Sequence, residues 1–411
     1  MRKVLIVVAG LALAAQGCTA STAALVVGAV YPTGGGQGEE AIEEYRGVLM
    51  AAERVNAAGG IGGRRVEVVL ERAETADAAP GAVRRLADRG IELVVGSYGS
   101  TISAPAAAEA ARQGMVFWET GAVGEMTPDA KPGERFFRMA ATGGTLGRAG
   151  VRFVADRLLP ELGVDGNVRY AVAYVDDVYG RSVGLGAIEE IESSGLTLAG
   201  TYPYDLATLD VDDLARRMDA AGTEVLVVAA YLEDGVDLRR AVLERGIDLA
   251  ASIGTSSSYC MPDFGIALGE DAVGLFASDK PEADFLQPEM LSEEAGKALR
   301  WVRTEYRRRH GEAMSGPGLA GFAGALALFE HVLPRAGSDD PDAVADAARQ
   351  TRLPLGALPN GSGMRFAPEG HAEAGANLHA ASVIWEWVAP EQREVVWPPA
   401  LATAPILAVR P

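Results

Sequence analysis

The sequence predicts an α/β protein built from two lobes, each formed around a doubly wound parallel sheet. The chain has 411 residues, of which 48% are hydrophobic, so it is too long for one ordinary core and apolar enough for two. A repeated unit predicts the fold class: an amphipathic helix, a glycine, and then a short apolar run of strand length. Glycine suits the left-handed turn from a helix into a strand. The unit recurs at Gly90, Gly114, Gly195, Gly222 and Gly246.

The first lobe is predicted to open with a strand over 25–30, a helix over 41–56 and a second strand over 66–70. Apolar residues of the helix recur on one face, as in a helix packed against a sheet. Two further strands are expected over 91–95 and 115–118. Right-handed crossovers between parallel strands place helices on both faces of such a sheet.

A second α/β unit follows a predicted crossing at Phe136–Met139, and a return crossing is expected near 278–281. Its strands are predicted over 170–175, 198–202, 225–229 and 251–254. The later helices are predicted over 292–310, 316–333 and 340–349, with a strand over 382–388. The apolar stretch from Leu319 to Leu333 contains Glu330 and His331, which favours a buried helix over a membrane span.

These crossings divide the chain into two discontinuous lobes. The first lobe is predicted to comprise 25–138 and 281–360, the second 139–280 and 361–395, with 396–411 as a C-terminal tail.

The N-terminus has the pattern of an export signal over residues 1–17. Two basic residues precede the short apolar run 4–15, which is too short to span a bilayer. The residues Ala-Gln-Gly-Cys that end at Cys18 resemble a bacterial lipobox, in which the cysteine is acylated and becomes the mature N-terminus. Residues 18–24 would then form a tether. The alternative is ordinary signal cleavage nearby with loss of Cys18, and both interpretations predict export.

The composition argues against several functions. The formal net charge of −19 gives no basic field for a nucleic-acid partner. The two cysteines, Cys18 and Cys260, leave no disulfide framework if the first is lipidated. The four histidines lack the spacing of metal ligands, and no nucleophile elbow or phosphate-binding loop is present. The sequence therefore predicts neither an enzyme nor a cofactor or metal site.

The candidate ligand site lies in the loops that follow the strands, because parallel sheets bind ligands beyond their carboxyl ends. These loops, rich in glycine, hydroxyl groups and tyrosine, are 31–36, 97–101, 119–122, 176–180, 231–234 and 255–258. Ser100 and Thr101 precede a helix predicted over 103–112, where free amide groups favour an anion such as a carboxylate. The alternative is that Ser100 to Ser103 only cap the helix.

Several of these stretches resemble the leucine/isoleucine/valine-binding protein family of periplasmic-binding-fold receptors. The similarity extends over nearly all of Leu25–Val388. It is carried by 27–29 with the glycine-rich loop after it, 56–63, 94–96 with Ser100 and Pro105, 174–180 and 363–388.

The resemblance implies two lobes joined by a three-segment hinge, a type I periplasmic-binding fold that closes on a solute. Carried over by position, the Ser100 hydroxyl would meet a ligand carboxylate. Thr120 and Ala122 would contact the same end of the ligand, and Tyr179 and Tyr231 would line the cleft from the second lobe.

One position departs from the family. Ser256 stands where amino-acid binders of this family have an acidic residue for the ligand ammonium. Glu119, Glu233, Asp176 and Asp177 are candidate substitutes that the sequence does not distinguish. A ligand without an ammonium group, such as an amide or a small carboxylate, is therefore an open alternative.

The resemblance implies a solute-binding protein that delivers a small polar ligand to an ABC permease with its ATPase subunits, and the lipobox-like residues before Cys18 would make it a lipoprotein. Contact with the membrane would be through the lipid anchor only. We expect Tyr98 or Trp118 to add aromatic burial to the site. A ligand-sensing module of a signalling system is the alternative on the same fold.

Overall fold

The computed structural model describes residues 23–125, 134–164, 167–407 and 409–411. The predicted signal segment 1–17 and the lipidation site Cys18 lie outside the described residues. Strands of the described part form two sheets, one of five strands and one of seven.

The first sheet is wholly parallel, with strand order β2-β1-β3-β4-β5. Its strands are β1 (Leu25–Tyr31), β2 (Val66–Arg72), β3 (Leu93–Gly96), β4 (Val116–Glu119) and β5 (Phe136–Arg138). The connecting helices are α1 (Gly38–Ala57), α2 (Ala79–Ala87) and α3 (Ser100–Arg112). The junction glycines Gly90 and Gly114 have positive φ, as the helix–glycine–strand pattern predicted.

The second sheet has the order β12-β11-β10-β9-β8-β6-β7. Its strands are β6 (Arg169–Val175), β7 (Thr197–Tyr204), β8 (Val225–Ala229), β9 (Ala251–Thr255), β10 (Phe276–Asp279), β11 (Val383–Ala389) and β12 (Gln392–Trp397). Its helices are α4 (Gly143–Phe153), α5 (Leu159–Glu161), α6 (Val178–Ser193), α7 (Val211–Ala220), α8 (Leu232–Arg245) and α9 (Pro262–Leu268). Strands β11 and β12 join antiparallel, whereas the others are parallel. The predicted two-lobed α/β fold class is confirmed.

After β10 the chain returns to the first lobe and packs further helices on it. They are α10 (Glu293–His310), α11 (Gly316–Ala327), α12 (Leu333–Ala336) and α13 (Pro341–Gln350). Helices α1 and α11 approach closely, since a Cβ on Gly47 would lie 2.0 Å from the Gly318 carbonyl oxygen. The apolar segment Gly316–Ala336 is long enough to span a membrane, but 83% of its most apolar 18-residue window is buried in the protein. It is a core helix, as predicted.

Two predicted lobe boundaries differ from the packing. Met364 and Phe366, assigned to the second lobe, are buried in the first-lobe core, where the Phe366 ring lies 5.4 Å from the Trp118 ring. Strand β12 extends to Trp397, beyond the expected end at 395. The tail after it docks on the second sheet, because the Leu407 amide donates to the Glu386 carboxylate at 2.9 Å.

Candidate ligand-binding cleft

A small cavity lies where the carboxyl ends of strands from both sheets face each other. We call it the inner cavity; it is lined by Gln37, Tyr98, Gly99, Ser100, Gly121, Ala122, Val123, Tyr179, Ser256, Ser257 and Lys280. Its volume is about 10 Å³, roughly the space that one water molecule needs. This volume alone does not hold a ligand of several atoms.

A much wider space adjoins the inner cavity and shares Gln37, Tyr98 and Ser257 with its lining. This outer cleft has a volume of about 930 Å³ and is lined from both lobes. Its acidic side chains are Glu39, Glu40, Glu74, Glu233, Asp234, Asp237 and Asp263. No lysine, arginine or histidine is among the described residues that line it. Burial and the nearby carboxylates of Glu39 and Asp263 raise the pKa of Glu40, so negative charge is crowded in this region.

Ser100 is the first residue of α3 and lies in the inner cavity with only 4% of its surface exposed. Its hydroxyl oxygen accepts a hydrogen bond from the Gly124 amide at 2.8 Å. The helix is preceded by Gly99 without a side-chain cap, and the Ser103 hydroxyl donates to the Glu119 carboxylate at 2.6 Å. The capping alternative is therefore wrong. Ser100 holds the loop after β4 in place, and Thr101 lies in the outer cleft.

The loop after β4 lines the inner cavity more with backbone atoms than with polar side chains. Gly121 and Ala122 line the inner cavity. The Thr120 hydroxyl lies outside the lining of either space, because it bonds to the Tyr31 hydroxyl at 2.7 Å and the Glu44 carboxylate at 2.6 Å. The expected contact between the Thr120 hydroxyl and a ligand is therefore wrong, because this hydroxyl faces away from both spaces. Trp118 was also wrongly expected in the site; it is fully buried and donates to a carbonyl of α11.

The buried carboxyl of Glu44 lies directly beneath the inner cavity. A Cβ on Gly121 would lie 1.6 Å from its Oε2 atom, and that oxygen makes no hydrogen bond within the described part of the chain. Burial raises the pKa of Glu44 to about 7, although the hydrogen bond from Thr120 and the charge of Lys280 oppose the shift. The floor of the inner cavity therefore favours a neutral group at this position.

Two tyrosines form the wall contributed by the second lobe. Tyr179 lines the inner cavity, and its hydroxyl lies 2.7 Å from the Thr255 hydroxyl. Tyr231 lines the outer cleft and donates to the Asp177 carboxylate at 2.6 Å. Their ring centroids are 5.5 Å apart. Burial raises the pKa of both phenols, so both remain neutral.

The structure distinguishes among the four acidic residues that could bind a ligand ammonium in place of the acidic residue missing at position 256. Ser256 itself lines the inner cavity. Glu119 is buried in an ion pair with Arg138 at 3.1 Å, Asp176 is paired with Arg181, and Asp177 caps α6. Of the four, only Glu233 lines the cleft, and it does so in the outer part.

Sequence reasoning missed Lys280, which follows β10 on the crossing back to the first lobe. Its surface is 7% exposed, its ammonium lies 3.6 Å from the Asp279 carboxylate and 5.7 Å from the centre of the Tyr98 ring. The sequence pattern around residues 278–281 predicts only a connection between lobes. The available signal was a lysine at the carboxyl end of a strand in a strongly acidic chain.

Two α/β lobes face each other across a polar cleft that both line, which is the arrangement of a protein that binds a solute between its lobes. A sequence model of the family described as "Periplasmic binding protein" matches residues 24–382. Because this match covers most of the chain, the protein belongs to the periplasmic binding protein family, whose members act outside the cytoplasm.

Curated relatives and solved structures agree with this assignment. A Leu/Ile/Val-binding protein homolog 8 from Brucella suis is 28% identical over 363 residues, covering 87% of this chain and 88% of the relative. A homolog 7 from Brucella abortus is 27% identical over 89% of this chain and 90% of its own length.

Among solved structures, the leucine-binding protein LivK of Thermotoga maritima superposes with a TM-score of 0.73 at 17% identity, covering 90% of this chain and 97% of LivK. A substrate-binding protein of an ABC transporter from Desulfitobacterium hafniense, solved with leucine, gives 0.68 at 19% identity, covering 90% of this chain and 99% of that protein. At these identities the structures show a shared fold.

Proposed function

We propose that this protein is the substrate-binding component of an ABC importer, exported and lipid-anchored through Cys18. It binds a small polar ligand (a branched-chain-type amino acid, an amide or a small carboxylate) by closing its lobes. The family and the names of the relatives support this role. The observation that carries it is the inner cavity, which only the two lobes together complete.

The proposed contacts come from both walls. Ser100, Ala122, Tyr179 and Ser256 line the inner cavity and are proposed to touch the ligand directly. Thr101 and Tyr231 line the adjoining outer cleft and are proposed to contact the ligand on its way in. Micromolar binding corresponds to about −8 kcal/mol, which a few charge-assisted hydrogen bonds of roughly 1.5–3 kcal/mol each can supply.

A thermal-shift screen of the signal-free, unliganded protein tests this proposal. The ligands are amino acids, their amides and small carboxylates, because a bound ligand raises the melting temperature by mass action. We expect at least one of these classes to raise it and Ser100→Ala to weaken that binding at least about tenfold. Ser100→Ala also leaves the buried Gly124 amide without its acceptor, so a stability loss of about 1–3 kcal/mol is expected.

Thr101→Ala is the matched control, since Thr101 is the next residue of the same helix and faces the outer cleft. It should weaken binding less than Ser100→Ala. The proposal is contradicted if none of the three ligand classes changes the melting temperature.

A further inference from the structure

The inner cavity carries a single charged side chain. Of the eleven described residues that line it, Lys280 is the only basic residue, and none is an aspartate or a glutamate. The outer cleft has the opposite character, with seven carboxylates and no cationic residue among its described lining. The two adjoining spaces therefore differ in the sign of the charged side chains that line them.

The Lys280 ammonium has hydrogen-bonding capacity left for a ligand. An ammonium has three N–H donors, and within the described chain none of them makes a hydrogen bond, the nearest carboxylate being Asp279 at 3.6 Å. The other Asp279 oxygen already accepts from the Cys260 thiol at 2.9 Å. The Lys280 backbone is fixed, since its carbonyl accepts from the Trp385 indole at 3.3 Å. A buried ammonium held this way favours an anionic partner.

The opposite wall of the inner cavity favours an anion as well. Helix α3 has 13 residues and begins at Ser100, so its positive end points at the same space. Ser256 supplies a hydroxyl and no charge on the second-lobe side. An ammonium placed here would meet Lys280 and no carboxylate among the described residues that line the cavity, whereas a carboxylate would meet two favourable groups.

Resting on the proposed function, we infer that the ligand is a small monocarboxylate without an ammonium group on the carbon beside the carboxylate, and that Lys280 binds this carboxylate. A second carboxylate that extended outward would be repelled by the acidic outer cleft. A neutral α-amino acid leaves its ammonium unpaired beside Lys280. Lys280 thus determines ligand specificity at the site.

Matched ligand trios test the ligand class directly. Each trio shares one carbon skeleton and consists of the carboxylic acid, the corresponding L-amino acid and the acid amide, for example 4-methylpentanoate, leucine and 4-methylpentanamide. Further trios use smaller aliphatic and aromatic skeletons. For every skeleton that binds, calorimetry should show the acid binding at least about tenfold more tightly than both other members.

The variants test the role of Lys280. Lys280→Met should weaken binding of the preferred acid at least about tenfold and remove the preference over the amide. Because this change leaves Asp279 buried without its partner, the double variant Asp279→Asn with Lys280→Met removes both charges together and keeps the test valid if the single variant is unstable. Lys297→Met, on the exposed face of α10, is the matched control and should bind like the wild type.

The outcomes separate the two proposals. If an amino acid binds more tightly than its deaminated acid, or if both Lys280 variants keep the wild-type affinity and preference, the inference is overturned while the solute-binding function stands. If no member of any trio binds, the proposed function fails and the inference fails with it.

Discussion

The inner cavity and the outer cleft share the lining residues Gln37, Tyr98 and Ser257, yet they differ in charge and in the groups that form their walls. The inner cavity is walled by buried backbone and hydroxyl groups around one lysine, whereas the outer cleft is walled by seven carboxylates, most of them solvated. Charges in water are screened within about 8–10 Å, but buried charges are screened much less. Substitutions around the inner cavity are therefore expected to have large effects on ligand affinity and on the free energy of unfolding. Substitutions in the outer cleft are expected to have small effects on both.

The largest expected effect comes from Glu44 beneath the inner cavity. Burial raises its pKa from 4.5 to about 7, so between these values the folded protein binds a proton that the unfolded chain releases. The stability contributed by this proton is complete below about pH 4.5 and is lost as the pH rises through 7. Glu44→Gln removes this loss, and at about pH 8 the variant should be more stable than the wild type by on the order of 3 kcal/mol.

Urea unfolding at about pH 5 and about pH 8 measures this difference. Glu39→Gln is the control on the same helix, because Glu39 is exposed and lines the outer cleft; its effect should stay within about 0.5 kcal/mol. If Glu44→Gln destabilises the protein equally at both pH values, Glu44 is not the neutral floor of the inner cavity.

The second effect tests how tightly the inner floor is packed. Gly121→Ala would place a methyl group 1.6 Å from the Glu44 carboxyl oxygen, which must shift within a buried site. We expect a loss of about 1–3 kcal/mol in unfolding free energy and a clear loss of ligand-induced thermal shift. Gly36→Ala is the control in the outer cleft, where a Cβ meets no atom within 4 Å. Equal melting temperatures for the two variants would contradict the conclusion that the inner floor is more tightly packed than the outer cleft.

The smallest effect concerns the acidic walls of the outer cleft. Glu40 and Asp263 lie on opposite lobes and repel each other, which contributes to the raised pKa of Glu40. Neutralising both, as Glu40→Gln with Asp263→Asn, should tighten binding of an anionic ligand roughly two- to fivefold at low salt. The gain should shrink with added salt because these charges are partly solvated. A salt-independent gain measured by calorimetry would place them in the buried part of the site.

Much of the fold was predictable because it depends on local patterns. The helix–glycine–strand repeat fixed the parallel units, since glycine is needed at turns such as Gly90 and Gly195 with positive φ. The antiparallel pairing of β11 with β10 was not predictable, because strand direction depends on the path of the returning chain. Phe366 likewise joined the first-lobe core through contacts with Trp118 that no local pattern contains.

The residues of the candidate site also fall into those that local sequence predicts and those that only tertiary packing determines. The sequence by itself indicated that Ser100, Ala122, Tyr179 and Ser256 follow strands, and parallel strands bring such loops to one edge. Only the tertiary structure decided which side chains face the space: it turned the hydroxyl of Thr120 toward Glu44 and placed Lys280 in the inner cavity. The physical reason is that residue order determines which loops meet, whereas side-chain direction and the sign of the local charge depend on packing between segments far apart in the chain.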